Sequence, residues 1–138
     1  MKPVELTIAA VCAGNPGAGG WGAVLRMGRH AKALSGRDAH STLPRLELQA
    51  AIAGLAALVE PCEVTLASSH RQIADQIDKW TRGWRAKGWD SVGHTPIHNA
   101  ELWHRLIALA QQHRLGFAIA APDHPDLARA TELAEECG

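Results

Sequence analysis

Glu47, His70, Asp123, His124 and Asp126 are the side chains of this sequence whose types could do chemistry together. Two imidazoles and three carboxylates make a mixed nitrogen and oxygen set suited to zinc or manganese. No pair among them has a diagnostic ligand spacing, so they read as solvated surface or helix-capping groups, and no metal site is assigned. A second chemistry is suggested by Arg71, Arg82, Arg85 and Lys87, in a stretch interleaved with Trp80, Trp84 and Trp89. Cationic groups of this kind neutralise phosphates, each contact adding to a salt-dependent affinity. The tryptophans, at helical spacing, read as packing for helices rather than as base-stacking platforms.

Composition narrows the setting. A chain of 138 residues with 46% hydrophobic and 20% charged residues can bury one core unaided, so residues 1–138 are read as one domain. No window has the apolar length of a membrane span or the pattern of a secretory signal, which makes the cytoplasm the expected compartment. Cys12, Cys62 and Cys137 are odd in number and lack metal-ligand spacing, so they are expected to be reduced thiols, two of them buried. Fourteen basic residues balance fourteen acidic ones, so attraction to a polyanion must come from a local patch.

The elements that must position these residues follow from periodicity. Residues 4–12 alternate as a strand, and 14–20, Gly-Asn-Pro-Gly-Ala-Gly-Gly, is turn chemistry leading into a second strand from Trp21 to Arg26. A third strand around Ala31–Gly36 completes an antiparallel meander. Ser41 or Thr42 caps a helix in which Leu48, Ala51, Ile52, Leu55 and Val59 recur until Pro61. A strand over Glu63–Ser68, helical pieces through 71–93, a helix from Asn99 to about Gln112, a strand over Leu115–Ala120 and a helix from Pro125 to about Glu136 follow. The order βββαβαααβα describes an α/β fold: a mixed five-stranded sheet, meander plus parallel strands, with helices on both faces.

With these elements, a set of local motifs resembles the bacterial type 1 ribonuclease H family across nearly the whole chain. The motifs are Cys12-Ala13-Gly14-Asn15-Pro16-Gly17 with Gly19-Gly20-Trp21-Gly22-Ala23; Arg45-Leu46-Glu47-Leu48 opening a helix; Trp80, Trp84 and Trp89 in a basic context; Asn99-Ala100-Glu101-Leu102-Trp103; and His124-Pro125 before Glu132-Leu133-Ala134. Five signals in order are specific where one Gly-rich loop is not.

The resemblance implies cleavage of the RNA strand of an RNA/DNA hybrid by two magnesium or manganese ions held by four carboxylates. Hard divalent cations want several anionic oxygens, and a pair of them stabilises both the attacking and the leaving oxygen. Carried onto this sequence, the four ligand positions fall on Ala9, Glu47, Ser69 and Thr131, and only Glu47 is acidic. By itself Glu47 reads as a helix-start carboxylate favoured by the macrodipole. Divalent-ion binding is therefore expected to be weak or absent, and the chain is expected not to be an enzyme but a pseudoenzyme of the family. The family's mobile histidine has no counterpart in the shorter loop 121–125; His124 matches a second, structural His-Pro pair.

For binding, the resemblance places a basic handle at about 80–93, with Arg82, Arg85 and Lys87 on the phosphates. Asn15 matches a hybrid-contacting asparagine, Thr42 a residue near a phosphate pocket, and Arg71 can meet a phosphate. Leu43 and Pro44 replace two asparagines that would contact the hybrid, and His70 and Arg71 replace a serine and a glutamine. The expected function is an inactive homologue that binds RNA/DNA hybrid or other nucleic acid through the handle. A protein-interaction module with an unidentified protein partner is the alternative, and a weak metal-dependent hybrid ribonuclease is third; no membrane is involved.

Overall fold

Side chains of the first strand alternate between two packed faces, and this alternation sets the layers of the molecule. The computed structural model describes residues 2–13, 17–68, 70, 75 and 100–137. Its strands are β1 (Lys2–Cys12), β2 (Gly17–Met27), β3 (His30–Ser41), β4 (Cys62–Ser68) and β5 (Arg114–Ile119). Its helices are α1 (Leu43–Ala56), α2 (Ala100–Ala110) and α3 (Pro125–Cys137). The five strands form one sheet in the order β3-β2-β1-β4-β5. β1 is central, antiparallel to β2 and parallel to β4; β5 runs parallel to β4 and β3 antiparallel to β2.

Val4, Leu6 and Ile8 of β1 and Val64 and Leu66 of β4 face α1 and α2. They pack there with Leu48, Ile52 and Leu55 of α1 and Trp103, Leu106 and Ala110 of α2. Each fully buried leucine contributes about 1.5–3 kcal/mol of transfer free energy, which makes this the main core. The other face is lined by smaller residues: Ala9, Val24, Ala67 and Ala120 lie under Leu127, Ala130 and Leu133 of α3. A Cβ on Gly22 would run into the Ala130 carbonyl oxygen and come within 2.9 Å of Leu133 Cβ, so only glycine lets α3 lie this close to β2.

Several boundaries differ from the sequence expectation. Gly17–Gly20 belong to β2, because Cys12 pairs with Gly19 on one side and Gly17 pairs with Ser41 on the other. β3 runs five residues past Gly36 to Ser41, as the polar edge of the sheet. The tight turn lies at Gly28-Arg29, where Gly28 takes φ 61°, as the first loop position of a two-residue hairpin requires. α1 stops at Ala56, before Pro61, because its last turn tightens: Ala57 N–H is shared between Ala53 and Gly54 carbonyls, and Leu58 N–H bonds Leu55. Val59, expected on the buried stripe, is fully exposed. Cys62 is buried and Cys12 half-buried, its thiol donating to the Gly17 and Ser41 carbonyls. The expected helical pieces of 71–93 and the handle at about 80–93 lie outside the described residues.

Candidate functional site

Thr42 begins the site by fixing the start of α1. Its backbone is extended and its Oγ1 accepts from Arg45 N–H at 3.4 Å, with Pro44 in the first turn, so the helix enters with one orphan donor satisfied. Arg45 then reaches Glu101 of α2, Nη1 to Oε1 at 2.6 Å, and Asp38 of β3, Nε to Oδ2 at 3.7 Å. Two residues singled out in separate motifs, Arg45 and Glu101, thus form one ion pair that ties α1 to α2.

Glu47 lies two residues further along the helix and is fully buried. Its Oε1 accepts from Ser68 Oγ at 3.1 Å and from His70 Nδ1 at 2.8 Å, while the Ser68 hydroxyl in turn accepts from the His70 backbone N–H at 3.0 Å. Oε2 is buried and, among the described residues, has no hydrogen-bond partner. Burial pushes the Glu47 carboxyl above the ordinary glutamate value, and the bonds from His70 and Ser68 oppose that rise. Glu47 therefore owes its setting to the α1–β4 contact and not to the helix dipole, since it sits beyond the first turn. A buried carboxylate that orients a half-exposed imidazole can fix the tautomer of the ring and set it up for hydrogen bonding or proton transfer.

The other ligand positions are placed elsewhere. Ala9 is buried in the alanine-lined cluster under α3. Thr131 is half-buried, and its Oγ1 donates to the Leu127 carbonyl one turn back at 2.8 Å. Ser69, Asn15, Arg71, Arg82, Arg85 and Lys87 lie outside the described residues. Sequence reasoning named Glu47 and His70 but missed their pairing through Ser68. The signal was a serine at the strand end two residues before a histidine, which is also a common turn arrangement.

Of the five residues first considered as a mixed metal set, the structure brings Glu47 to His70, and His124 to Asp126. His124 and Asp126 join Glu5 in a group whose ligand atoms lie within 4.8 Å of one another. Arg26 already forks Asp126, Nη2 to Oδ1 at 2.6 Å and Nε to Oδ2 at 2.8 Å, and this fork holds the Asp126 carboxyl below the ordinary aspartate value. His124 Nδ1 accepts the Asp126 N–H at 3.0 Å, which puts the ring proton on Nε2, where it bonds Glu5 Oε1 at 2.8 Å. A metal at Nε2 would displace that proton and face the Arg26 charge. The cluster is a clasp that fastens the start of α3 to β1 and β2, in keeping with the structural role expected of the His124-Pro125 pair.

The RNase H family model matches residues 3–126 of the chain. A protein of Erythrobacter litoralis named Ribonuclease H is 44% identical over 99% of this chain and 96% of its own length. One of Agrobacterium fabrum with the same name is 45% identical over 99% and 94%. Among solved structures, the N-terminal RNase H domain of a Mycobacterium tuberculosis protein superposes with a TM-score of 0.78 at 19% identity, covering 99% of this chain and 94% of that one. LC11-RNase H1, solved in complex with RNA/DNA hybrid, gives 0.72 at 19% identity, covering 96% and 94%. These structural likenesses confirm the expected mixed five-stranded sheet with helices on both faces.

The expectation that the chain is not an enzyme is overturned by the bacterial relatives, which share more than two-fifths of its residues over nearly its full length and are named for an enzyme. That expectation rests on the side chains at Ala9, Ser69 and Thr131 alone, whereas the similarity runs through the whole scaffold. A family-model match over most of the chain, full-length relatives and a shared fold agree: this chain belongs to the ribonuclease H family.

Proposed function

We propose that this chain acts on RNA/DNA hybrids as a ribonuclease H family protein, binding the hybrid and directing its action at the RNA strand. The observation that carries the reading is the near full-length match to bacterial proteins named Ribonuclease H. The hybrid-bound LC11-RNase H1, which shares the fold, adds support for the ligand. In this reading Arg82, Arg85, Lys87 and Arg71 meet phosphates, Asn15 contacts the hybrid, and Thr42 lies near a phosphate at the start of α1.

The test follows a labelled RNA/DNA hybrid and a matched DNA duplex by fluorescence anisotropy, with a denaturing gel run on the same samples. Hybrid-preferring binding with shortening of the RNA strand is the expected result. No binding of either duplex at micromolar protein would overturn the proposal and turn the search toward a protein partner.

A further inference from the structure

Hydrolysis by a pair of divalent ions is what the family resemblance implies, and the described side chains at the corresponding positions do not fit such a pair. Ala9 has no ligand atom, and the space above it is filled by Leu127, Ala130 and Leu133 of α3. Its strand partner is Gly22, where an added Cβ would run into the Ala130 carbonyl oxygen of α3. Thr131 donates its hydroxyl proton to its own helix and carries no charge. Glu47 Oε1 already takes two hydrogen bonds, from Ser68 and His70. Glu47 Oε2 remains, a single buried oxygen, and among the described residues no group of three ligand side chains includes Glu47. Magnesium and manganese need several oxygen ligands and commonly more than one carboxylate, so one buried oxygen is too little.

We infer that the Glu47 site of this chain holds no divalent metal and that the hybrid is bound without one, because Ser68 and His70 have taken up the carboxylate an ion would need. The inference rests on the hybrid-directed reading above, and it assigns His70 a place in this protein: it is the hydrogen-bonding counterpart of Glu47. In chemical terms, an imidazole N–H and a hydroxyl do for the buried carboxylate what coordination to a cation would otherwise do. They supply positive hydrogen-bonding ends to Oε1 in a setting closed to bulk water.

The experiment titrates manganese chloride into the full chain without nucleic acid and follows the free-ion signal by electron paramagnetic resonance, for the wild type and for Glu47→Gln. Uptake that is absent, or equal in the two proteins, is expected; uptake lost in Glu47→Gln would overturn the inference. Should that variant not fold, the wild type still decides: His70 ring resonances that stay sharp at millimolar manganese support the inference, and their selective broadening overturns it. A separate arm measures hybrid binding in EDTA and in magnesium at matched ionic strength. Affinity agreeing within about twofold is expected, because ionic strength alone shifts phosphate affinity. Binding that appears only with magnesium overturns the inference, whereas a hybrid ignored in both buffers defeats the proposed function and leaves the manganese result standing.

Discussion

Ala9 illustrates how far one side chain can be read from sequence. Its position among the ligand sites was legible from the motif around it, but its surroundings were not, because they are supplied by α3 more than a hundred residues later. An aspartate there would carry a carboxylate into a cluster of alanine, valine and leucine with no cation to meet it. Ala9→Asp is expected to destabilise the fold by about 3 kcal/mol or more, measured by urea unfolding, and to gain nothing from added manganese. Glu47 was legible for the same reason as Ala9, and its partners Ser68 and His70 were hidden for the same reason, since they are 21 and 23 residues away across a helix–strand contact.

His113 supplies a pH dependence at the same scale. It is buried between α2 and β5, and its Nδ1 accepts the Cys62 N–H at 3.0 Å, so burial holds its pKa below the ordinary histidine value. The unfolded chain then binds this proton more readily than the folded one, so the contribution of His113 is full above about pH 6.5 and is lost as pH falls through the lower folded value. Glu47 acts in the opposite direction: its raised pKa gives stability below about pH 4.3 that is lost as pH rises through the folded value. Thermal unfolding at pH 7.5 and 5.5 is expected to show a smaller acid-induced loss in His113→Gln than in the wild type.

Among elements, the start of α3 is where a few polar groups do the most. The Arg26–Asp126 fork and the His124–Glu5 bond join a helix to two strands, and Asp126 is almost completely buried. Asp126→Asn is expected to cost about 1–3 kcal/mol, because a buried arginine-facing acceptor is replaced by a group that must also place an N–H. The loss should be seen by thermal unfolding near neutrality and should shrink in acid. The Asp126 carboxyl is held low, so its stabilisation is present above about pH 3.9 and disappears as pH falls through its folded value. Element type and order were read correctly for the described part of the chain because alternation and helical spacing are strong there. Boundaries were harder: glycines at 17–20 signal a turn by composition, yet strand pairing on both sides holds them extended.

For the whole molecule, the equal count of basic and acidic residues means that no global field draws a polyanion in. Hybrid affinity should then depend on a few named cations. Arg85→Ala and Lys87→Ala are each expected to lower the slope of log affinity against log salt by about 0.7–0.9, without altering the preference for hybrid over DNA duplex. Equal slopes in variant and wild type would remove these residues from the interface. The mixed five-stranded sheet with helices on both faces was legible because the meander, the crossover and the motifs along the chain agreed in their order. The function was less legible, since side-chain identities at three positions argued against the activity for which the relatives are named.

The two faces of the sheet also differ in how they should come apart. Leucine and isoleucine fill the α1 and α2 side, whereas alanine and glycine carry α3, so less apolar surface holds that helix in place. α3 is thus set to behave as a separate opening unit in time as well as in space. In native-state amide exchange its N–H groups should trade protons for deuterons before those of β1 and α1. Loosening the clasp with Asp126→Asn should quicken exchange in α3 while leaving the leucine-packed face at its original pace.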